Sequence, residues 1–248
     1  MNNINVAIVN MAGGVGKTTY CKHGLVPLIP NSVRVSIEDW NSGDGKADLE
    51  IGAKSFYKLA AQINTDDEQS FVLDIGTSNS KLMLQHFADL ELTTERIGFW
   101  VLPVRSGSKE RIDTLKTVSK LMEIYIDPSR IVVVGQAVSD IGQFDADFGP
   151  LMTAAKSHGF CFAEQAVLFN EVYNLTKGSD QTVFEIVRDK PDFKLLRQEM
   201  AGNEQKLLDI GQQMIVYSLA KTATRNLLSV FQSTPLADAL VDAAIEKL

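Results

Sequence analysis

Val6-Ala7-Ile8-Val9, running directly into Asn10-Met11-Ala12-Gly13-Gly14-Val15-Gly16-Lys17-Thr18-Thr19, is the stretch on which the reading of this chain turns. The apolar run reads as a buried strand, and the residues from Lys17 onward suit a helix. Between them, Gly13, Gly14 and Gly16 let the backbone curl so that successive N–H groups face one anion. The helix adds the positive end of its dipole, Lys17 can reach the outer phosphates, and Thr18 offers a hydroxyl to magnesium. A Gly-Gly pair after a strand is by itself only a tight turn; the order strand, loop, helix gives this run its weight. The cradle so formed, Gly13, Gly14, Val15, Gly16, Lys17, Thr18 and Thr19, implies a nucleoside triphosphate as ligand.

Working outward, Ser70-Phe71-Val72-Leu73-Asp74 reads as a short apolar strand that delivers a carboxylate at its C-terminal end. Magnesium takes few protein ligands and keeps several waters, so Thr18 plus an outer-shell Asp74 would suffice to hold it. Strand patterns near residues 4–10, 33–37, 70–74, 97–104 and 130–135 alternate with helical patterns at 17–27, 53–63, 80–89 and 107–124. That rhythm predicts an α/β fold: a mostly parallel sheet flanked by helices on both faces. Ligands of such sheets collect outside the carboxyl ends of the strands, where Gly13 to Thr19, Glu38, Asp74 and Gln136 would converge. The loops after residues 40 and 75 are rich in bend-tolerant residues. Residues 136–148 read as an irregular acidic loop over the base of a nucleotide, with Gln136 as a possible base contact. Phe169 and Tyr173, four apart, read as core packing more readily than as a stack on a base.

The chain has 248 residues, 45% of them apolar and 22% charged, enough for one large globular unit. A formal charge of -7 argues against a globally basic grip on nucleic acid. Cys21 and Cys161 lie far apart without a CxxC spacing and read as free thiols in a reducing, cytoplasmic compartment. The three histidines are scattered, and no apolar stretch reaches the length of a membrane span.

Beyond Pro191 the strand signal stops. Asp192 to Met200, Glu204 to Phe231 and Leu236 to Leu248 read as helices, which divides the chain into residues 1–187, a nucleotide-binding domain, and 188–248, a helical extension packed on it. Lys221 and Arg225, one turn apart, stand either for a solvated edge or for contacts to DNA phosphates. Asp238, Asp242 and Glu246 on the last helix would be repelled by anionic lipid, so no membrane anchor is expected.

The string Ala12-Gly13-Gly14-Val15-Gly16-Lys17-Thr18-Thr19 resembles the deviant Walker A loop of the ParA/MinD ATPases, with Asp74 and the strand Phe99 to Val104 as supporting matches. The resemblance covers roughly residues 1–187 and implies a P-loop NTPase fold, ATP and magnesium as cofactors, a homodimer in the ATP state and a role in DNA or plasmid partition. The partners it implies are a DNA-bound adaptor and non-specific DNA. By the same resemblance, Lys17 would be catalytic and the loops after residues 40 and 75 would be switches. Three departures matter. The family's signature lysine is Ala12 here, and the family's Asp-x-Asp-Pro is Glu38-Asp39-Trp40-Asn41. This leaves Glu38 as the candidate near the attacking water. Gln136 stands where many relatives place an Asn. The first two changes point to slow turnover or none, since a missing cationic stabiliser costs about 10³ or more in rate.

Overall fold

The computed structural model describes residues 3–38 and 48–245. Asp39, Trp40 and Lys46 lie outside the described residues, and so does most of the loop after the second strand.

Along the chain run β1 (Asn5–Ile8), α1 (Lys17–Tyr20), β2 (Ser32–Ile37), β3 (Leu49–Ile51), α2 (Phe56–Thr65), β4 (Ser70–Ile75), α3 (Ser80–Asp89), α4 (Glu91–Glu95), β5 (Ile97–Val104) and α5 (Ser108–Glu123). There follow β6 (Ile131–Val138), α6 (Phe144–His158), β7 (Cys161–Phe162), β8 (Val167–Leu168), α7 (Val172–Leu175), α8 (Val183–Arg188), α9 (Phe193–Glu199), α10 (Glu204–Gln232) and α11 (Pro235–Ile245). The sheet is ordered β3-β2-β4-β1-β5-β6-β7, with β8 pairing on β6. Each of these pairings is parallel. The α/β architecture, a parallel sheet flanked by helices with a C-terminal helical segment, is as the sequence predicts.

Successive side chains of a strand point to opposite faces, and a sheet covered on both faces therefore needs apolar residues at every position of its central strands. β1 meets this requirement: Ala7 and Val9 enter the core beneath α2, α3, α5 and α6. Val6 and Ile8 enter the opposite core, with Tyr20, Leu25, Ala223, Leu227 and Phe231. The same alternation decides the site. Val72 and Asp74 share a face of β4, as do Val132, Val134 and Gln136 of β6, and that face is the one covered by α1 and α10.

Several local expectations are corrected. The helix expected over 17–27 is α-helical only to Tyr20 and continues as a π turn over Cys21–Leu25. Gly24 sits where any Cβ would fall 2.6 Å from the Tyr20 ring and 3.3 Å from Leu227, so this turn is drawn tight between the sheet and α10. The segment 136–148 is not a single irregular loop. β6 extends to Val138, and α6 begins at Phe144. Phe144 and Phe148 are buried against Gly135, where an added Cβ would meet their rings at 3.2 and 3.4 Å. Phe169 is exposed rather than core, while Tyr173 packs on His23 with ring centroids 5.5 Å apart.

Candidate functional site

The loop between β1 and α1 is anchored from outside before it turns. Asn10 is buried, and its amide donates to Pro103 O at 2.9 Å and to Thr114 Oγ1 at 2.7 Å. Its Oδ1 accepts the Ala12 amide at 2.9 Å, and the Met11 amide donates to Thr117 Oγ1 at 3.1 Å. α5 thus holds the entry to the loop through two threonines one turn apart. Past this point Gly14 (φ 66°) and Gly16 (φ 87°) take the left-handed conformation that glycine adopts without strain. Among the described residues, the amides of Gly13, Gly14, Val15 and Gly16 donate to no backbone carbonyl. Those of Lys17, Thr18 and Thr19 open a helix, whose first N–H groups have no partner within it. The result is a run of amide donors, from Gly13 into the first turn of α1, that is not taken up by backbone carbonyls of the helix or sheet among the described residues.

Lys17 stands over this row. Its buried ammonium donates to Asn10 O and Ala12 O, each at 3.1 Å, and to Thr77 Oγ1 at 2.7 Å, which uses all three protons. Burial lowers its pKa to about 8, against the opposing pull of the Asp74 and Glu38 carboxylates. Glu38 follows β2 directly and lies across Gly76, where a Cβ would fall 2.7 Å from Glu38 Cγ. The Thr77 hydroxyl also lies 3.3 Å from Ala12 O, so the segment after β4 closes against the loop.

Asp74 is 2% exposed, and its Oδ2 accepts from Arg34 Nη2 at 3.0 Å; Arg34 is itself 4% exposed. The register of β2 against β4 sets Arg34 beside Val72 and Ser36 beside Asp74, so both charged side chains leave the sheet on the α1 face. Among the described residues Asp74 Oδ1 is buried without a hydrogen-bond partner, as is Arg34 Nε. The same guanidinium lies beside the Cys21 thiol, whose pKa burial pushes well up. Nothing in the sequence singled out Arg34; its apolar neighbours Val33 and Val35 gave the only hint of a buried strand position.

Gln136 emerges from β6 on the same face. Its Oε1 would lie 3.4 Å from a Cβ at Gly16, and its Nε2 is buried without a partner among the described residues. Beside it opens a cavity of about 170 Å³ lined by Gly16, Thr18, Thr19, Arg105, Gln136 and Phe169, among others. Gly13 to Thr19, Lys17, Glu38, Asp74 and Gln136 therefore gather at the carboxyl ends of β1, β2, β4 and β6. Asn10, Arg34 and Thr114 belong to the same region and were given no role from sequence; Thr77 comes from the loop after residue 75 expected to act as a switch, and Phe169 reaches the cavity.

His23, one turn below this site, is buried, and its Nδ1 accepts the Val183 amide at 3.2 Å. Burial first, then the Lys22 and Arg34 charges, lower its pKa to about 3. Between roughly pH 6.5 and pH 3 an unfolded chain carries a proton that the native chain refuses. Stability is accordingly expected to fall as pH falls through that window, by up to about 1.4 kcal/mol per pH unit. Urea midpoints measured across this range should lose that slope in His23→Phe; an unchanged slope would assign the acid sensitivity to another group.

No protein-family model matches this chain, and no curated protein matches it. Solved structures similar to it include an ATP complex of a substituted McdA from Cyanothece, at 12% identity and TM-score 0.48, covering 86% of this chain and 97% of that one. Apo McdA from the same source is similar at 10% identity and TM-score 0.49, over 86% of this chain and 100% of that one. The MinD cell division protein of Aquifex aeolicus is similar at 12% identity and TM-score 0.49, over 86% of this chain and 97% of that one.

Proposed function

We propose that this chain is a ParA/MinD-like switch protein that binds ATP with magnesium, hydrolyses it weakly, and acts in plasmid or DNA partition or stability. In this reading it is similar to the plasmid stability protein StbB, a divergent ParA-like protein. The observation that carries the reading is the row of amides from Gly13 to Gly16 that, among the described residues, donate to no backbone carbonyl, beside the Lys17 ammonium. A polyphosphate tail satisfies both at once, and the ammonium can exchange two neutral carbonyls for charged oxygens. The cavity beside Gly16 and Gln136 is on hand for the base, with the Gln136 amide as a donor that lacks a partner.

Thr18 and Asp74 are the residues that would hold magnesium. The unpartnered Asp74 Oδ1 fits the acceptor that a metal-bound water requires, while Oδ2 is committed to Arg34. Among the described residues no group of three or more His, Cys, Asp or Glu side chains could hold a metal alone, so the ion would come with the phosphates. When bound it neutralises phosphate charge and polarises the terminal phosphoryl group. Arg34 offsets the charge of Asp74, which leaves that carboxylate a hydrogen-bonding role. Glu38 is the candidate to orient a water; Thr77 and Gly76 would respond to the terminal phosphate.

In this reading the ATP state is a homodimer that engages a DNA-bound adaptor or DNA itself in the cytoplasm. Among the described residues no helix is long and apolar enough to cross a membrane. A second reading, a nucleotide-binding adaptor without turnover, is favoured by Ala12, which supplies no charge where the family's signature lysine would stand. Calorimetric titration with Mg-ATP, followed by phosphate release measured with and without DNA, tests both. Binding with slow release is expected. Binding without release under any condition selects the adaptor, and absence of binding overturns both.

A further inference from the structure

α10 has two apolar sides, and the protein covers only one of them. Ile210, Ala220, Ala223, Leu227, Val230 and Phe231 are buried. On the other side Leu208 and Ile215 stand 63% and 59% exposed. They belong to a seam, Leu208, Gly211, Ile215, Ser218 and Thr222, that advances in alternating steps of three and four residues. A period of 3.5 is that of a helix paired lengthwise with another helix, and a helix packed only on its own core needs no second stripe of this kind. The hydroxyls of Ser218 and Thr222 turn back to their own helix, on Met214 O at 2.8 Å and Ser218 O at 3.2 Å. What they present outward is small and mostly carbon, and together with Gly211 they allow close approach of a second backbone.

The charges at the two ends of the seam identify what covers it. The same spacing continues to Glu204 at one end and Arg225 at the other, equally far from a midpoint between Met214 and Ile215. A second helix laid antiparallel about that midpoint sets Glu204 against Arg225 at both ends and Gly211 against Ser218, with Leu208 level with Lys221 and next to Thr222. A parallel partner would set like charge against like. Nucleic acid would meet Glu204 and Asp209 beside Lys206, Lys221 and Arg225 on the same helix, and would leave Leu208 and Ile215 in water. We propose that two copies of this chain associate through antiparallel α10 helices, along about 30 Å of seam, without nucleotide. None of the seam residues is among those gathered around Lys17, so a chain that also pairs in its ATP state has two isologous faces and can build assemblies larger than a dimer.

Sedimentation velocity of the nucleotide-free protein tests this. The wild-type chain is expected to be dimeric, and Ile215→Asp to weaken the dimer by at least about 100-fold, because the seam centre is lost from both copies. Glu204→Arg alone and Arg225→Glu alone should each give monomer, and the two together in one chain should restore the dimer, a rescue that misfolding would not produce. Chains carrying Gly211→Cys should form a disulfide with chains carrying Ser218→Cys and not with each other. Lys17→Ala should leave the dimer intact. A wild-type monomer at high concentration overturns the proposal, as does a dimer indifferent to Ile215→Asp. So does a monomer whose DNA binding is abolished by Arg225→Glu, which would make the face a nucleic-acid contact.

Discussion

Lys17→Ala is expected to weaken Mg-ATP binding by about 100-fold or more while leaving the fold intact. Charge-assisted hydrogen bonds to phosphate contribute about 1.5–3 kcal/mol each, and the ammonium at this position has three protons to give. In the protein without nucleotide those protons rest on Asn10 O, Ala12 O and Thr77 Oγ1. Burial of the ammonium is costly, as its pKa of about 8 records, so its removal should leave the unfolding midpoint unchanged or raise it. The same pKa sets a pH dependence. A bound phosphate tail favours the charged lysine and pulls its pKa back up, so binding takes up a proton once the free protein begins to lose it. Affinity should therefore fall as pH rises above about 8, by up to tenfold per unit, and the fall should vanish in Lys17→Ala. Isothermal titration across pH 7 to 10 in buffers of different ionisation enthalpy measures both. Unchanged affinity in Lys17→Ala would remove the physical basis of the proposed function.

The largest effect on stability is expected at Arg34. Replacing it with Met leaves Asp74 buried beneath α1 without its cation, a loss of about 3–5 kcal/mol. The pair itself is dispensable for folding, because two buried charges gain little over apolar side chains of similar volume. Arg34→Met with Asp74→Leu should therefore recover most of the loss, and urea denaturation of the two single variants and the double closes the cycle. A loss below about 1 kcal/mol in Arg34→Met would mean that Lys17 alone holds the carboxylate. Asp74→Asn, by contrast, should separate the roles: a modest change in stability, with nucleotide binding made less responsive to magnesium.

Much of this site could be read along the chain, and the misses share a cause. Phe144, Phe148, Leu151 and Ala155 keep helical spacing, yet Asp145, Asp147, Gly149 and Pro150 between them resemble a loop. In α6 those residues simply occupy the outer face and the first turns. Phe169 looked like a core partner of Tyr173 because four residues separate them, but that spacing brings side chains together only inside a helix. α7 starts at Val172, so Phe169 lies before it and is left exposed at the cavity. Arg34 in Val33-Arg34-Val35 reads as an outward strand position, and its outward side is covered by the turn after α1.

By itself, the sequence determined the glycine-rich cradle of amides between β1 and α1 and the class of fold. The strand, the glycines, the lysine and the helix start are neighbours along the chain, and the physics that joins them is local. Only the tertiary structure decided the electrostatic state of that cradle: Arg34 on Asp74, Glu38 over Gly76, Thr77 beneath Lys17 and Gln136 beside Gly16. These partners meet because parallel strands are paired across long stretches of chain, and that pairing is settled by which faces bury together, which no short stretch of sequence records.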